Sequence, residues 1–409
     1  MEKSIFLDYP NNLNKIFDKL DNFNIKPIIV GGYIRDKLLN LDSNDIDIEL
    51  YGVDSLNEIE TILTEFGSVC SVGKSFGVVK LTFKDLEIDF SLPREDSKVA
   101  DGHRGFLIKT DKNLSFKEAA SRRDFTINAI GFDTLKKRII DPFHGLRDIE
   151  QKILRAVDEE KFSQDPLRIL RAVGFAARFE FKIEQTLFHL CRSMIEENAL
   201  EELPQERILK EFEKFLLKST YPSLAINLLK DFGTFSFFGE FSARDSLDYF
   251  AQKKRRDSKI NLLIFFTLLY DGRDLQGIEK LIQEKKMLKT IELFRELKES
   301  ISLQSISNYS LYKLATKVNI EHFLYYLDAS FIGKKQKEIS ILKKRAIALN
   351  IFNRALEPLI LGRDLLSLDL TPSKHFKEIL NATYEAQMRE EFSSKEEALL
   401  WVKSYLKGI

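Results

Sequence analysis

The chain has 409 residues, of which 44% are hydrophobic and 31% are charged, a composition typical of a globular protein with about two to four domains. Lysine plus arginine and aspartate plus glutamate both number 63, so the net charge is zero, which argues against nonspecific coating of nucleic acid but leaves local basic surfaces open. The two distant cysteines, Cys70 and Cys191, and the absence of metal-ligand spacing argue against a disulfide framework and a zinc site.

The first predicted elements are a helix before residue 25 and a short buried strand at Ile28–Val30. Gly31 and Gly32 interrupt the strand, and Tyr33–Leu39 has the spacing of a short helix. Glycines at a strand-to-helix turn let backbone N–H groups approach phosphate oxygens, and the helix N-terminus favours anions. The alternative is an ordinary tight turn.

A pair of carboxylates, Asp45 and Asp47, alternates with Ile46 and Ile48 in the next predicted strand. Residues two apart in a strand share a face, so both carboxylates point one way and both isoleucines point into the core. Mg²⁺ prefers such oxygen ligands, completed by substrate phosphates. The pattern predicts metal-assisted phosphoryl or nucleotidyl transfer, the alternative being a solvated strand end.

Three more strands are predicted at Ser68–Val72, Val78–Phe83 and Glu87–Leu92, so that residues 25–142 form a mixed α/β unit. Asp89, in the third of these strands, could add a further carboxylate to the metal site, although an ordinary edge residue is the simpler interpretation. The polar segment from Pro93 to about Phe116 is predicted to be a long loop.

Two later segments carry residues suited to a nucleotide. The adjacent Arg122 and Arg123 suit a triphosphate, and Asn128 offers donors and acceptors to a sugar. A helix is predicted from Pro166, with Asp165 as its N-cap. Asp165 and Arg168, one turn apart, could read the edge of a base, or could simply pair within the helix. The remainder is almost entirely helical in pattern, with several basic clusters that could follow an RNA backbone.

Together these segments resemble the bacterial-type (class II) tRNA nucleotidyltransferase and poly(A) polymerase family of the polymerase β superfamily. The resemblance rests on six ordered segments over residues 28–172: Gly31–Asp36, Asp45–Asp47, Glu87–Arg94, Arg122–Ile130, Asp141–Asp148 and Gln164–Ala172. A weaker match, Gly362–Leu366, lies in the tail. The family adds CCA to the 3′ end of tRNA from CTP and ATP with Mg²⁺ and without a nucleic-acid template.

The resemblance implies a role for each matching residue. Asp45, Asp47 and Asp89 are expected to be catalytic, with Asp45 and Asp47 as metal ligands. The residues expected to bind the nucleotide are Gly31, Gly32, Arg35, Arg122, Arg123, Asp124, Asn128, Asp165, Arg168 and Arg171. Two positions depart from the family pattern, since Gln164 stands where glutamate is usual and Gly174 where many members have arginine. Both departures put details of base reading or triphosphate affinity in question.

We therefore expect an α+β protein: a polymerase β-like nucleotidyltransferase head with a mixed sheet (residues 1–150), then an all-α neck for base recognition (151–220) and an all-α body and tail for tRNA binding (221–409). The expected partners are the tRNA 3′ end, CTP and ATP, with Mg²⁺ as cofactor, no membrane and no obligate protein partner, in the cytoplasm. The full-length segment after Pro93 and the neutral charge favour CCA addition. An A-adding specialist, a poly(A) polymerase and a catalytically dead RNA-binding protein are the alternatives.

Overall fold

The computed structural model describes residues 7–70, 77–98, 106–241, 244–368 and 370–407. The chain divides into two compact units, residues 1–237 and residues 238–409. The finer division predicted from the sequence, with boundaries near residues 150 and 220, stays a prediction. Across the described residues, none of the helices is long and apolar enough to cross a membrane.

One seven-stranded mixed sheet forms the centre of the first unit. Its strands are β1 (Lys26–Val30), β2 (Ile46–Tyr51), β3 (Ser68–Cys70), β4 (Val78–Phe83), β5 (Leu86–Ser91), β8 (Gly131–Asp133) and β9 (Arg138–Ile140). Their spatial order is β3-β4-β5-β2-β1-β8-β9. β2 and β5 are parallel neighbours, whereas the other neighbouring pairs are antiparallel. The predicted mixed sheet is therefore confirmed.

The two faces of this sheet have different neighbours. Ile46 and Ile48 lie in one apolar core with Ile29, and this core also includes residues of α1 (Asn14–Asp21), α2 (Gly32–Leu38) and α3 (Leu56–Leu63). On the other face, Val30 packs near the short helix α4 (Phe116–Ala120). Val30 is paired in register with Asp47, and paired residues share a face. Asp47 therefore lies on the face opposite the isoleucine core.

The segment after Pro93 differs from its prediction. Instead of a loop, β6 (Arg94–Lys98) and β7 (Phe106–Thr110) form a separate two-stranded antiparallel sheet, so the loop interpretation is wrong for both strands. Two strands can pair through backbone hydrogen bonds without any alternation of polar and apolar side chains. Because β6 consists largely of charged residues, its sequence gives no periodic signal of a strand. Residues 99–105 of the predicted loop lie outside the described residues.

The rest of the first unit is mainly helical. Its helices are α5 (Gly145–Gln151), α6 (Glu159–Ser163), α7 (Leu167–Phe179), α8 (Gln185–Glu196), α9 (Gln205–Lys218) and α10 (Pro222–Phe232). The expectation of an all-α neck over residues 151–220 is wrong in detail, because β10 (Ile153–Leu154) pairs in parallel with β11 (Lys182–Ile183). These two-residue strands are too short to leave a periodic pattern in the sequence. A further bridge joins Phe125 to Ala156.

Within its described residues, the second unit contains helices and no strand. They are α12 (Arg244–Ala251), α13 (Ser258–Leu269), α14 (Lys285–Ser300), α15 (Asn308–Lys317), α16 (Ile320–Ser330), α17 (Gln336–Ala348), α18 (Gly362–Leu366), α19 (Lys374–Met388) and α20 (Lys395–Lys407), and the four-residue α11 (Phe235–Phe238) spans the junction of the units. Phe294 of α14 packs against Phe323 and Tyr326 of α16. The predicted all-α second half is confirmed.

Candidate active site

A cleft of about 500 Å³ opens in the first unit, where the turn after β1, strand β2, residues 122–128 and helices α7 and α9 converge. It brings together Asp47 and every residue predicted to bind the nucleotide. Its lining is Gly31, Gly32, Arg35, Asp47, Arg94, Arg122, Arg123, Asp124, Asn128, Asp165, Leu167, Arg168, Arg171, Phe175 and Arg207. Asp45 and Asp89 are not part of this lining.

Gly31 makes the sharp turn between β1 and α2. Its φ of 73° and ψ of −134° lie in a region that only glycine enters without strain. A Cβ at this position would lie 2.8 Å from Nη1 of Arg123 and 3.7 Å from Oδ2 of Asp47. The missing side chain is therefore what lets the backbone, an arginine and a carboxylate meet at one point.

The predicted catalytic carboxylates lie on and beside two parallel strands. Asp47 of β2 is opposite Asp89 of β5 in register, and Asp45 is exposed immediately before β2. The side chain of Asp47 is open to the cleft. Partial desolvation by the surrounding protein nevertheless raises the pKa of Asp47, Arg123 opposes this increase, and the negative charges of Asp89 and Asp45 add to it. Such crowding of negative charge is relieved by a bound cation.

Whether these residues suit Mg²⁺ depends on the donor set. Asp89 Oδ1 lies 3.4 Å from the ammonium of Lys80, and the part of the chain that the structure describes contains no group of three or more carboxylate, imidazole or thiol side chains positioned to hold a metal. Asp45 and Asp47 remain as a carboxylate pair, and Mg²⁺ is commonly bound through one or two carboxylates plus substrate phosphates. The pair fits that pattern, and the role of Asp89 stays a prediction.

Arg122 and Arg123 share one buried carboxylate that the sequence analysis did not assign. Their Nη2 atoms donate to Oε1 of Glu49 at 3.1 Å and 2.9 Å, and Nη1 of Arg123 donates to the carbonyl of Asn128 at 3.3 Å. Burial alone would raise the pKa of Glu49, but the two arginines and Tyr51 hold that pKa below its usual value. Glu49 is therefore an ionised anchor for both guanidinium groups.

Arg35, predicted to bind the nucleotide, is only 5% exposed. Its Nε and Nη2 donate to Asp36 at 2.8 Å and 2.6 Å, and its Nη1 donates to Oδ1 of Asn128 at 2.5 Å. The guanidinium carbon lies 5.0 Å and 4.9 Å from the ring centres of Phe175 and Phe179, a favourable cation–π arrangement. The observed contacts of Arg35 thus join α2 to α7.

The predicted base-reading residues lie at the start of α7. The helix begins at Leu167, one residue later than predicted, and its N-cap is Pro166 rather than Asp165. Oδ1 of Asp165 still accepts from the backbone N–H of Leu167, the first helical residue, at 3.1 Å. Its Oδ2 lies 3.5 Å from Nη2 of Arg207 on α9. Arg168 donates to the carbonyls of Lys161 and Arg122 at 2.9 Å and 2.6 Å. The arrangement connects the start of α7 to the arginine pair.

Sequence reasoning missed four charged or aromatic residues of this region, namely Glu49, Arg94, Phe175 and Arg207. Glu49 could have been found, because it is two residues after Asp47 in a strand and therefore on the same face. Phe175 is four residues after Arg171 in α7 and shares its side of the helix. For Arg94 and Arg207 we find no comparable local pattern.

Comparison with known proteins agrees with this geometry. Residues 28–155 match the family described as Poly A polymerase head domain, and residues 180–243 match the one described as Probable RNA and SrmB- binding site of polymerase A. The Multifunctional CCA protein of Neisseria meningitidis serogroup A is 38% identical over 205 residues, which are 50% of this chain and 46% of that protein. That of Stenotrophomonas maltophilia is 36% identical over 210 residues, 51% and 49% of the two chains. The matched region thus spans about half the length of these relatives.

Solved structures extend the likeness over nearly the whole chain. The Bacillus stearothermophilus CCA-adding enzyme in complex with CTP superimposes with a TM-score of 0.74 at 22% identity, covering 98% of this chain and 99% of that one. The Thermotoga maritima CCA-adding enzyme complexed with tRNA_CCA gives a TM-score of 0.66 at 24% identity, covering 98% and 97%. At these identities the likeness is one of fold. Residues 28–155 thus match the Poly A polymerase head domain family, and the chain has the fold of the CCA-adding enzymes.

Proposed function

We propose that this protein is a nucleotidyltransferase that adds CCA, or part of it, to the 3′ end of tRNA from CTP and ATP without a nucleic-acid template and releases pyrophosphate. The proposal is supported by the names of the relatives and by the contents of the cleft. The single observation that carries it is that one cleft of about 500 Å³ holds a metal-suited carboxylate, an arginine pair and a polar helix start: Asp47, Arg122, Arg123, Asp165 and Arg168.

Each group has a distinct task in this proposal. Arg122 and Arg123, which line the cleft, bind the triphosphate oxygens through their guanidinium groups. Asp165 and Arg168 present an acceptor and a set of donors to the edge of the base. Asp45 and Asp47 hold Mg²⁺, with Asp89 as a third catalytic carboxylate. When bound, the cation lowers the pKa of the attacking 3′-hydroxyl and neutralises charge on the phosphates.

The remaining parts of the proposal concern partners and place. We assign tRNA binding to the helical residues from 221 onward, supported by basic segments such as Lys253–Arg256 and Lys343–Arg345. The RNA-binding family match at residues 180–243 overlaps the beginning of this region and lies mainly before it. The protein is expected to act in the cytoplasm, where tRNA is processed.

The test supplies purified protein and Mg²⁺ with two tRNA substrates, one lacking CCA and one ending in CC. Each is incubated with CTP alone, ATP alone or both. A CCA-adding enzyme extends the first tRNA by two nucleotides with CTP and by three with both, and it extends the second by one with ATP. Absence of CTP incorporation, with single ATP addition to the CC substrate, would identify an A-adding specialist.

Two other outcomes distinguish the remaining alternatives. A long poly(A) product from ATP on either substrate would identify a poly(A) polymerase. No incorporation of any nucleotide, together with retained tRNA binding, would identify a catalytically inactive RNA-binding protein. The open cleft beside Asp47 favours a catalytically active nucleotidyltransferase over the inactive protein.

A further inference from the structure

Glu49 occupies an unusual position for an acidic residue. It lies on β2 two residues after Asp47, so the two carboxylates share a face of the sheet. Its side chain is 1% exposed, whereas that of Asp47 is open to the cleft. Oε1 of Glu49 accepts from both Arg122 and Arg123, and Oε2 accepts from the hydroxyl of Tyr51 at 3.0 Å.

Two carboxylates are therefore close to the same arginine. Nη1 of Arg123 and Oδ2 of Asp47 both lie within 4 Å of one point, the place where a Cβ at Gly31 would be. Arg123 nevertheless directs its Nη2 to Glu49, at 2.9 Å. An arginine in a poorly solvated site requires an anionic partner, and the carboxylate of Asp47, which is open to the cleft, already interacts electrostatically with Arg123.

We propose that Glu49 is a positioning residue that holds the Arg122–Arg123 pair and keeps Arg123 from pairing with Asp47. The carboxylate of Asp47 then stays available for a cation, and the two guanidinium groups are held at the lining of the cleft, where a triphosphate would bind. This inference rests on the proposed function, because it assigns Glu49 a part in binding the triphosphate and the metal at the same cleft.

Two effects of Glu49 on nucleotide binding oppose each other. Its negative charge lowers the positive potential that attracts a triphosphate. Its hydrogen bonds fix the planes of two guanidinium groups, and bidentate recognition of phosphate depends on that orientation. We expect the loss of orientation to outweigh the gain in positive potential, because an arginine released from Glu49 would pair with Asp47. That new pair would remove a hydrogen-bond donor from the phosphates and a ligand from the cation.

The first test replaces Glu49 by glutamine, which removes the charge and keeps the shape. In Glu49→Gln we expect the KM for CTP and for ATP to rise about tenfold, as for loss of a charge-assisted hydrogen bond. The Mg²⁺ concentration for half-maximal activity should rise with it. Tyr51→Phe is the matched control, since it removes a hydrogen bond to Glu49 without touching the arginines, and its KM should stay within about twofold of wild type.

A double-mutant comparison separates positioning from a general loss of structure. In an Arg123→Met background, Glu49→Gln should change the KM for CTP less than it does in the wild type, since one of the two positioned guanidinium groups is already gone. Equal effects in the two backgrounds would overturn the inference. If Glu49→Gln does not fold, Glu49→Asp provides the test, because it keeps the charge but shortens the side chain by one carbon. The KM for CTP of Glu49→Asp should rise, and a KM equal to that of the wild type would refute the inference.

A binding measurement keeps this inference separate from the proposed function. Inorganic tripolyphosphate, titrated by calorimetry without Mg²⁺, reports on the arginine pair without any chemistry. Its affinity should fall about tenfold in Glu49→Gln, and unchanged affinity would refute the role of Glu49. Wild-type protein that binds tripolyphosphate but incorporates no nucleotide would refute the proposed function while leaving this inference supported.

Discussion

Arg171 and Asp124 form an ion pair in the floor of the cleft, with Nε and Nη2 of the arginine 2.7 Å and 2.5 Å from Oδ2 of the aspartate. The other oxygen of Asp124 accepts from Nδ2 of Asn128 and from the backbone N–H of Phe125, each at 2.9 Å. Two residues that the sequence assigned to nucleotide binding thus bind each other. Their contact joins residues 122–128 to α7, which gives the pair a structural task.

We expect Arg171→Met to lower the free energy of unfolding by about 3 kcal/mol, because it leaves the buried carboxylate of Asp124 without its counter-charge. Arg178→Met is the control. Arg178 is also on α7, but its Nη2 is 3.4 Å from Asp36, which keeps Arg35 as a partner, so the cost should stay below about 1 kcal/mol. Urea unfolding without nucleotide measures both variants, and equal costs would contradict the structural task of Arg171.

The same pair predicts a dependence of stability on acid pH. Burial alone would raise the pKa of Asp124, but Arg171 and Asn128 lower it below the ordinary value of 3.8. The ionised carboxylate therefore adds stability above pH 3.8, and that stability is lost as the pH falls from there through the lowered pKa. In unfolding experiments at decreasing pH, Asp124→Asn should lose less stability over this range than wild type. Parallel curves would show that Asp124 does not titrate as stated.

Asp47→Ala should abolish incorporation of both CTP and ATP while leaving the melting temperature almost unchanged, because the side chain is open to the cleft and outside the apolar core. Asp45→Ala should likewise abolish incorporation of both nucleotides and leave the melting temperature almost unchanged. Asp42→Ala is the control, since Asp42 is an exposed carboxylate in the segment before β2 and should retain full activity. More than a few per cent of activity in Asp47→Ala would remove this carboxylate from the metal site.

Substitutions at Asp165 separate helix capping from base reading. Asp165→Asn keeps an oxygen to accept from Leu167 but replaces the other acceptor with a donor. It should therefore keep wild-type stability and lose selectivity against UTP and GTP by about tenfold to a hundredfold.

The control is Asp158→Ala, which removes a similar cap, where Asp158 accepts from the N–H of Lys161 at 2.9 Å. It should cost about 1 kcal/mol of stability without changing nucleotide choice. Steady-state incorporation of the four nucleotides and melting temperatures decide the result. If Asp165→Asn still rejects UTP and GTP, Asp165 only caps its helix.

The sequence predicted those parts of the molecule that depend on local pattern. The alternation through Ile46 and Ile48 predicted the strand, and the paired glycines after Val30 predicted the turn. The partners of Arg35 could not be predicted in this way, because Asn128 and Phe175 are distant in the chain and reach Arg35 only after folding. The pairing of β6 with β7 was missed because β6 is rich in charged residues and shows no alternation of polar and apolar side chains.

The bridge between Phe125 and Ala156 has a consequence for how such proteins can be recombined. It is flanked by backbone hydrogen bonds from Thr126 to Arg155 at 3.0 Å and from Val157 to Asp124 at 3.3 Å, and it crosses the boundary predicted near residue 150. A chimera cut at that boundary would pair a foreign partner with the residues around the arginine pair. In such a chimera, the residues proposed to bind phosphate and those proposed to select the nucleotide would therefore have to come from the same parent protein, as one block that includes residues 122–128 and 153–179.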